Sequence, residues 1–572
     1  MIDYKVQIAQ IIANQEIGLT AEEIAEMIEV PTDSKNGDFA FPCFRLAKTM
    51  RKAPQMIAAD VASSIENESI FDKVEQVNAY VNMFICKDAF VRNVVSEVIS
   101  LGCGYGKSNV GEGKKVIVEF SSPNIAKPFH IGHIRSTVIG NSIYKLYDAT
   151  GYDVVRINHL GDYGTQFGKM IVAYRLWGSE EELEKNPIKS LLKYYTKFHE
   201  EAEKDPSLDD KARETFAKLE NGEPEEVELW KRFRELSLEE FSRVYKMLDI
   251  EFDSYAGESF YSDKMPAVLK ELKDKNLMHE SRGAQIVDLE DYDMPPAVIT
   301  KSDGSSLYAT RDIAAAIYRK QHYDFYKNIY VVATQQNLHF KQWKQVLALM
   351  GYSWEKDCIH VPFGLVSLEE GTMSTRKGRV VFLEDVLNKA VEKTREIISE
   401  KNTSGIDIDE ISKEVGIGAV IFQELSNNRI KDYVFSWDKI LNFDGETGPY
   451  VQYTHARASS VLRNASQQEL DRIKSCDIND FNYVTSDSAY ELTKLIYRVP
   501  EVVREAAAKY EPSILTRHLI DIAQSFNRFY HDEHILVDNE EEKVEKLALV
   551  YAAKVTIANC LAILGIKAPD KM

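Results

Sequence analysis

The stretch VIVEFSSPNIAKPFHIGH, residues 116–133, decides the fold of this chain. It opens with a mainly apolar run, typical of a buried strand, and a helix is expected from Ile131 to about Tyr147. A second strand at 154–157 and a second helix at about 165–176 follow. This strand–helix–strand order predicts a parallel sheet whose ligands bind at the carboxyl ends of its strands.

Two histidines, His130 and His133, lie three residues apart where the first helix begins, so their imidazoles share one face. Gly132 between them carries no side chain, which leaves room for a flat base or a sugar near the backbone. The free N–H groups and the dipole of a helix start favour a polyphosphate there. Two surface or metal-binding histidines are the alternative, but the preceding strand and the following helix favour a nucleotide site.

The same alternation returns later in the chain, with a strand at 329–333 and a helix near 341–350. An acidic, helix-rich block at about 179–250 interrupts it and is interpreted as an insertion with a solvated face. The sequence therefore predicts a multidomain α/β protein with three parts: a small α+β N-terminal domain (1–110), a Rossmann-type parallel-sheet catalytic domain carrying the helical insertion (111–405), and an all-α domain (406–572).

The composition narrows the class of protein. The chain has 572 residues, 44% hydrophobic and 28% charged, which suits a soluble protein of several domains. No apolar run is expected to reach the length of a membrane span. The six cysteines are scattered, with no pair at metal-ligand spacing, so we expect no disulfide framework, no protein-bound metal and a reducing cytoplasm. The net charge of −20 opposes general nucleic-acid binding, so any RNA contact requires a local basic and aromatic surface.

The segment from Glu119 to Ser136, continued by NHLGDYGTQFG at 158–168, resembles the class I arginyl-tRNA synthetases. The resemblance covers essentially the whole chain, and the histidines with the two residues between them match the HIGH signature of that class. In the family this signature holds ATP and stabilises the charge that develops during adenylation. The resemblance implies ATP, Mg²⁺, L-arginine and tRNA(Arg) as ligands, a cytoplasmic location, a monomer, and a requirement for bound tRNA before arginine is activated.

The second signature of the class, KMSKS, is altered here to TMSTRKG at 372–378, so both usual lysine positions hold threonine. Charge develops on the leaving pyrophosphate, and a cation directed at it lowers the barrier. Arg376 and Lys377 remain in this loop, and the resemblance implies Lys127 as the substitute cation. A basic surface turn is the alternative. The predicted ATP contacts are His130, Gly132, His133, Met373 and Ser374.

Tyr308 and Asp312 are four residues apart at a predicted helix start, so they share a face. A carboxylate accepts two parallel N–H bonds from a guanidinium and a phenol adds a third contact, whereas a lysine substrate would leave acceptors unpaired. Spacing alone also fits a structural pair within the helix; the similarity to the family's arginine-binding helix favours a pocket. The same resemblance implies further arginine contacts at Asn124, Gln336, Glu119 and Ser121.

Aromatic and basic residues alternate in YVQYTHAR at 450–457 and FNRFYH at 526–531. Such a pattern either packs a helical core or stacks on unpaired bases. The region resembles the family's helical anticodon-binding domain, which implies anticodon contacts at Tyr453, Tyr530 and Met572. The N-terminal part resembles the additional domain that meets the corner of the tRNA, with Tyr80 and Asn82 as contacts.

The predicted function is ligation of arginine to tRNA(Arg) through arginyl-adenylate, with AMP and pyrophosphate as products. A class I synthetase for another amino acid, or a small-molecule adenylyltransferase on the same scaffold, is disfavoured by the Tyr308/Asp312 pair and the helical C-terminal region. A non-catalytic tRNA-binding paralogue would explain the lysine-poor loop. The intact histidines disfavour it.

Overall fold

The computed structural model of the chain describes residues 3–15, 17–31, 33–300, 308–368, 381–400, 407–442, 445–476, 478 and 481–572. Two compact units form. One comprises Met1–Tyr105, Arg457–Val499 and Asp521–Thr556; the other comprises Gly106–Ala456, Pro500–Ile520 and Ile557–Met572. Each unit takes segments from more than one of the three predicted domains, so the division at residues 110 and 405 stays a prediction.

The N-terminal part forms a three-stranded antiparallel sheet in the order β1-β3-β2. A capping box starts α2, because the Thr20 hydroxyl accepts from the Glu23 N–H and the Glu23 carboxylate accepts from the Thr20 N–H. The elements are α1 (Tyr4–Ala13), α2 (Ala21–Met27), β1 (Phe39–Pro42), α3 (Leu46–Met50), α4 (Pro54–Ile65), β2 (Phe71–Val77), β3 (Tyr80–Ile85) and α5 (Lys87–Leu101).

The second unit is built on a four-stranded sheet in the order β10-β9-β4-β5, and every strand pair in it is parallel. The prediction of a parallel sheet is thus confirmed. Residues 116–118 of β4 are fully buried, as expected for a strand covered on both faces. The strands and their flanking helices are β4 (Lys115–Glu119), α6 (Ile134–Ala149), β5 (Asp153–Ile157), α7 (Thr165–Trp177), α13 (Tyr308–Tyr323), β9 (Lys327–Ala333), α14 (Asn337–Leu349) and β10 (Cys358–Phe363).

The strand order reverses between β4 and β9, since β5 lies on one side of β4 and β9 and β10 on the other. In open α/β sheets the crevice outside such a reversal is where ligands bind. Helix α6 packs closely over β4, because a Cβ added at Gly140 would lie 2.1 Å from the Cβ of Phe120. The sheet thus places the loop after β4, with its two histidines, at the predicted ligand edge.

The block at about 179–250 is helical, as predicted. It consists of α8 (Glu180–Lys185), α9 (Pro187–Ala202), α10 (Ser207–Glu220) and α11 (Pro224–Leu248). After it come α12 (Met265–Asp274) and a small antiparallel sheet of β6 (His279–Ser281), β7 (Ala284–Val287) and β8 (Ala297–Thr300). Sequence analysis did not find this sheet, because its strands are only three or four residues long.

The described residues of the C-terminal third are mostly helical, as predicted, and one short strand lies among them. β11 (Val366–Leu368) pairs in parallel with β12 (Tyr433–Phe435). The helices are α15 (Leu383–Ser399), α16 (Ile408–Ser426), α17 (Trp437–Ile440), α18 (Gly448–Arg463), α19 (Gln467–Lys474), α20 (Asp487–Lys509), α21 (Ser513–Asp532) and α22 (Glu540–Ile563).

Helix α22 differs from the expectation that no apolar run reaches the length of a membrane span. Among the described residues it is the one helix long and apolar enough to cross a membrane by length and composition. Its most apolar window is 67% buried inside the protein, so it packs as a core helix.

Candidate active site

The loop after β4 holds an unusual backbone conformation. Ser121, Ser122 and Ala126 have φ values of +69°, +48° and +58°, a region that costs side-chain-bearing residues ~1–2 kcal/mol each. The Ser121 hydroxyl is fixed by the hydroxyls of Thr137 and Tyr245, both at 2.8 Å. Strain held by a buried network at a sheet edge is typical of a binding site.

The loop leads into the histidine turn, His130–His133. The Nδ1 atom of His130 accepts the N–H of Gly132 at 3.1 Å, and the Nδ1 atom of His133 accepts the N–H of His130 at 3.2 Å. The two ring centroids are 4.0 Å apart. In the tautomers that accept these bonds, both rings carry the proton on Nε2 and can offer an N–H to a phosphate. The His133 Nδ1 atom also lies 3.2 Å from the His130 carbonyl oxygen, to which it donates in the other tautomer.

Burial sets the charge of these rings. It lowers the pKa of His130 to about 4 and that of His133 to about 3, and the nearby positive charges of His130 and Lys127 add to the effect on His133. Both imidazoles are neutral at pH 7 in the ligand-free protein. They act there as hydrogen-bond donors, and a cation for a polyphosphate must come from other side chains.

The free energy of unfolding is expected to fall as the pH drops from 6.5 toward 4, partly because of this pair. In that window the unfolded chain binds protons at His130 and His133 that the native chain does not. Urea unfolding from pH 7 to pH 5 should therefore show a shallower loss for His130→Asn/His133→Asn than for wild type. His531→Asn, at an exposed histidine, controls for loss of an imidazole, and parallel wild-type and double-variant curves would contradict the assignment.

Three carboxylates around the sheet edge each face an arginine of the chain. The pairs are Glu119 with Arg319 at 2.6 Å, Asp162 with Arg234 at 3.1 Å, and Glu258 with Arg311 at 3.1 Å. All three acidic side chains are at least mostly buried, with exposures of 9%, 0% and 13%. In these three pairs, which we call the acidic floor, each buried carboxylate is balanced by a guanidinium.

Asp312, on α13, is different. Its side chain is 31% exposed, and its Oδ2 atom lies 2.5 Å from Nε2 of His339 on α14. Its negative charge contributes to the pKa of Glu258, which burial raises to about 8 against the lowering effect of Arg311. Asp312 thus lies close to the paired carboxylates, but its partner is an imidazole, whereas each of theirs is a guanidinium. The guanidinium of a substrate can pair with Asp312 as the arginines pair with the other three carboxylates.

The other predicted arginine contacts differ in exposure. Asn124 is exposed and forms a β-bridge with Gly161, where an added Cβ would lie 2.2 Å from the Asn124 Oδ1 atom and would displace that side chain. Gln336 is exposed directly after β9. Glu119 and Ser121, by contrast, are buried and bonded within the protein.

Several predicted residues lie outside what the structure describes. These are the side chain of Tyr308 and, within residues 369–380, Met373, Ser374, Arg376 and Lys377. The chain beyond that segment returns to the histidine turn, because the N–H of Ile131 donates to the Val381 carbonyl at 3.1 Å. Lys127 lies near the turn, with its ammonium 5.7 Å from the ring centre of Tyr195.

Comparisons with known proteins decide the family. Family models match at residues 94–437 (tRNA synthetases class I (R), catalytic domain), 451–572 (DALR anticodon binding domain) and 3–85 (arginyl tRNA synthetase N terminal domain). The chain is 58% identical to an arginine–tRNA ligase of Clostridioides difficile and 56% identical to one of Halothermothrix orenii, each over 100% of both chains. The chain belongs to the class I arginyl-tRNA synthetases.

Solved arginyl-tRNA synthetases share the fold. The enzyme of Plasmodium falciparum superposes with a TM-score of 0.80 at 25% identity, covering 99% of this chain and 98% of that one. The Thermus thermophilus arginyl-tRNA synthetase gives 0.79 at 24% identity, covering 100% of both. The family, the enzyme class and the fold class predicted from the sequence are thereby confirmed. A class I synthetase for another amino acid and a non-catalytic paralogue are not favoured.

The candidate RNA contacts of this arginyl-tRNA synthetase fall in both units. In the unit that contains residues 448–456 of α18, Tyr453 is partly buried and the tail leading to Met572 is bonded to that helix, since the Pro569 carbonyl contacts the His455 ring at 2.9 Å. In the other unit, Phe526 and Phe529 are core residues, whereas Tyr530 is 42% exposed beside the Arg457 guanidinium. In the segment 526–531, two aromatic side chains therefore pack in the core and one lies at the surface, where it can contact a ligand.

The two predicted tRNA contacts in the N-terminal part of this arginyl-tRNA synthetase also differ in exposure. Tyr80 is partly exposed and packs edge-on against Phe44, which is itself 53% exposed. Asn82 is 3% exposed. Tyr80 therefore offers more surface to a ligand than Asn82 does.

Sequence reasoning missed His339 and the three arginines that compensate the acidic floor. His339 lies three residues after Gln336, in the first turn of α14, so helix spacing could have placed it at the same edge. Arg234, Arg311 and Arg319 carry no local signal, because each partner carboxylate lies in a different segment of the chain.

Proposed function

We propose that this chain activates L-arginine with ATP and transfers it to the 3′ end of tRNA(Arg), releasing pyrophosphate and then AMP. The observation that carries the proposal is the acidic sheet edge, where Asp312 is partly exposed and contacts the His339 imidazole, while its neighbours are paired to arginines of the chain. The neutral imidazole pair lies at the same edge, after β4.

Asp312 and Tyr308 would bind the guanidinium, with the carboxylate accepting two parallel N–H bonds and the phenol adding a third contact. Asn124 and Gln336, exposed after β4 and β9, would contact the amino and carboxylate end of the substrate. Glu119 and Ser121 would act from below, because their side chains are bonded within the protein and hold the floor and the loop in place.

In the first step an oxygen of the arginine carboxylate attacks the α-phosphorus of ATP, and the bond to the β-phosphate oxygen breaks as pyrophosphate leaves. No protein nucleophile is required, so positioning and charge stabilisation account for catalysis. His130 and His133 would donate through Nε2–H to phosphate oxygens, and Gly132 would admit the nucleotide close to the backbone. Met373 and Ser374 would complete the ATP contacts.

Positive charge for the leaving pyrophosphate would come from Lys127, with Arg376 and Lys377 as further cations. Lys127 is supported by its place in the loop three residues before His130 and by its positive charge, which acts to lower the pKa of His133. Within the described ranges, no group of three or more potential ligands for a metal is found. Mg²⁺ would therefore be held chiefly by the phosphates of ATP and by water, as is usual for nucleotide-bound magnesium.

In the second step a hydroxyl of the terminal ribose of tRNA attacks the carbonyl carbon of arginyl-adenylate, and AMP leaves. Residues 406–572 would bind the anticodon loop through Tyr453, Tyr530 and Met572, and residues 1–110 would meet the corner of the tRNA near Tyr80 and Asn82. Residues 111–405 would carry both chemical steps. The protein would act as a monomer in the cytoplasm.

Arginine-dependent exchange of pyrophosphate into ATP tests the first step. We expect exchange when tRNA(Arg), arginine and ATP are all present and no exchange without tRNA, as the family resemblance implies. Lysine in place of arginine is the matched control and should give no exchange. Absence of exchange both with and without tRNA would favour a non-catalytic RNA-binding protein.

A further inference from the structure

Arg135 follows the histidine turn by two residues and is fully buried in the first turn of α6. Its Nη1 atom donates to the carbonyl oxygen of Gly364 at 2.9 Å and to that of Lys431 at 2.8 Å. Gly364 precedes β11 and Lys431 precedes β12. A single guanidinium nitrogen therefore ties the helix behind the histidines to the start of both strands of the β11–β12 ribbon.

The carboxylate opposite Arg135 belongs to Glu424 of α16, with 3.4 Å between Nε and Oε2 and no exposure of either side chain. Among the described residues, Nε and Nη2 of Arg135 and both oxygens of Glu424 make no hydrogen bond. Burial raises the pKa of Glu424 to about 8, although Arg135 acts to lower it. The contact between the two side chains therefore contributes little stability by itself, and the hydrogen bonds of Arg135 are those to the Gly364 and Lys431 carbonyls.

The ribbon that Arg135 holds is packed closely. A Cβ at Gly364 would lie 2.6 Å from the Ile430 carbonyl oxygen, so this position requires glycine. Residue Val366 pairs with Tyr433, whose ring lies 5.2 Å from the Arg135 guanidinium. Any shift of the guanidinium must therefore move β11 and β12 together.

Both flanks of residues 369–380 are bonded to one short stretch of chain. On one side, β11 ends at Leu368, a few residues after Gly364, whose carbonyl oxygen accepts a hydrogen bond from Arg135. On the other side the Val381 carbonyl accepts the N–H of Ile131 in the histidine turn. Arg135 thus holds the start of β11, and the histidine turn holds Val381.

We propose that Arg135 is a positioning residue, which sets the β11–β12 ribbon against the histidine turn and so controls the rate of adenylation without contacting substrate. The proposal rests on the proposed function. It assigns Glu424 the role of keeping the guanidinium turned toward the two carbonyls. A purely structural Arg135 would act on stability instead.

Arg135→Lys tests the positioning role, because lysine keeps the charge but cannot reproduce the planar fork. We expect kcat of tRNA-dependent pyrophosphate exchange to fall on the order of 10- to 100-fold, since small misplacements of reacting groups have effects of that size. The KM values for arginine and ATP should stay within about twofold of wild type. Arg156→Lys is the control, because it also breaks a bidentate pair, with Asp253, on strand β5.

The double variant Arg135→Met/Glu424→Met tests the pair as a unit. It removes the Arg135 donor from the Gly364 and Lys431 carbonyls along with Glu424, so the urea midpoint should fall. In the folded variant without urea, kcat should stay reduced while the KM values for arginine and ATP stay within about twofold of wild type. Full recovery of kcat in this variant would overturn the proposal, as would wild-type kcat in Arg135→Lys. A wild-type protein without arginine-dependent exchange would instead refute the proposed function itself.

Discussion

Asp312→Asn is expected to raise the KM for arginine about 100-fold, because truncating one partner of a buried charged pair costs 2–5 kcal/mol. The amide retains the shape of the carboxylate but carries no charge and can accept from the guanidinium with one oxygen only. The Kd for ATP should change by less than about twofold, since Asp312 faces the substrate side chain. Exchange kinetics with arginine varied, and ATP binding by calorimetry, measure the two quantities.

Asp253→Asn is the matched control for this variant. It removes an aspartate charge from the same unit, where Asp253 pairs with Arg156 of β5 and not with a residue of α13 or α14. Citrulline, which lacks the charge of arginine, should compete poorly against arginine in wild type and better in Asp312→Asn. An unchanged KM for arginine in Asp312→Asn would refute the pocket.

Lys127→Ala is expected to slow formation of arginyl-adenylate about 100-fold, the size of effect seen when one group that stabilises transition-state charge is removed. Burial keeps His130 and His133 neutral, so the charge on the leaving pyrophosphate requires a cation from elsewhere. Single-turnover measurement of adenylate formation, with tRNA bound, isolates this step from product release.

Lys193→Ala controls for loss of an exposed lysine, since Lys193 pairs with Glu182 within the helical insertion. Its adenylation rate should match that of wild type. If Lys377→Ala abolishes adenylation while Lys127→Ala leaves it unchanged, then the cation lies in the altered KMSKS segment and the assignment of Lys127 is wrong.

Residues 115–177 could be predicted almost element by element, because the alternation of apolar strands with helices is a local pattern. The helix expected at about 165–176 lies at Thr165–Trp177, and the strand expected at 154–157 lies at Asp153–Ile157. The short antiparallel sheet after α12 gives no comparable periodic signal. Three or four residues do not distinguish a strand from a turn.

The site could be predicted only in part. His130, His133 and Asp312 lie in continuous motifs, but the arginines that compensate the acidic floor are 72 and 53 positions from Asp162 and Glu258. No periodicity links residues so distant, and only the folded chain shows that Asp312 differs from its neighbours. Likewise, the composition of α22 satisfies a membrane criterion, and burial alone identifies it as a core helix.

The most direct test of the account is a crystal structure of the protein with L-arginine and a non-hydrolysable ATP analogue. We expect the guanidinium nitrogens to lie about 2.7–2.9 Å from the carboxylate oxygens of Asp312, with the phosphates at the Nε2 atoms of His130 and His133. An arginine bound elsewhere, with Asp312 still held by His339 and turned away from it, would contradict the account.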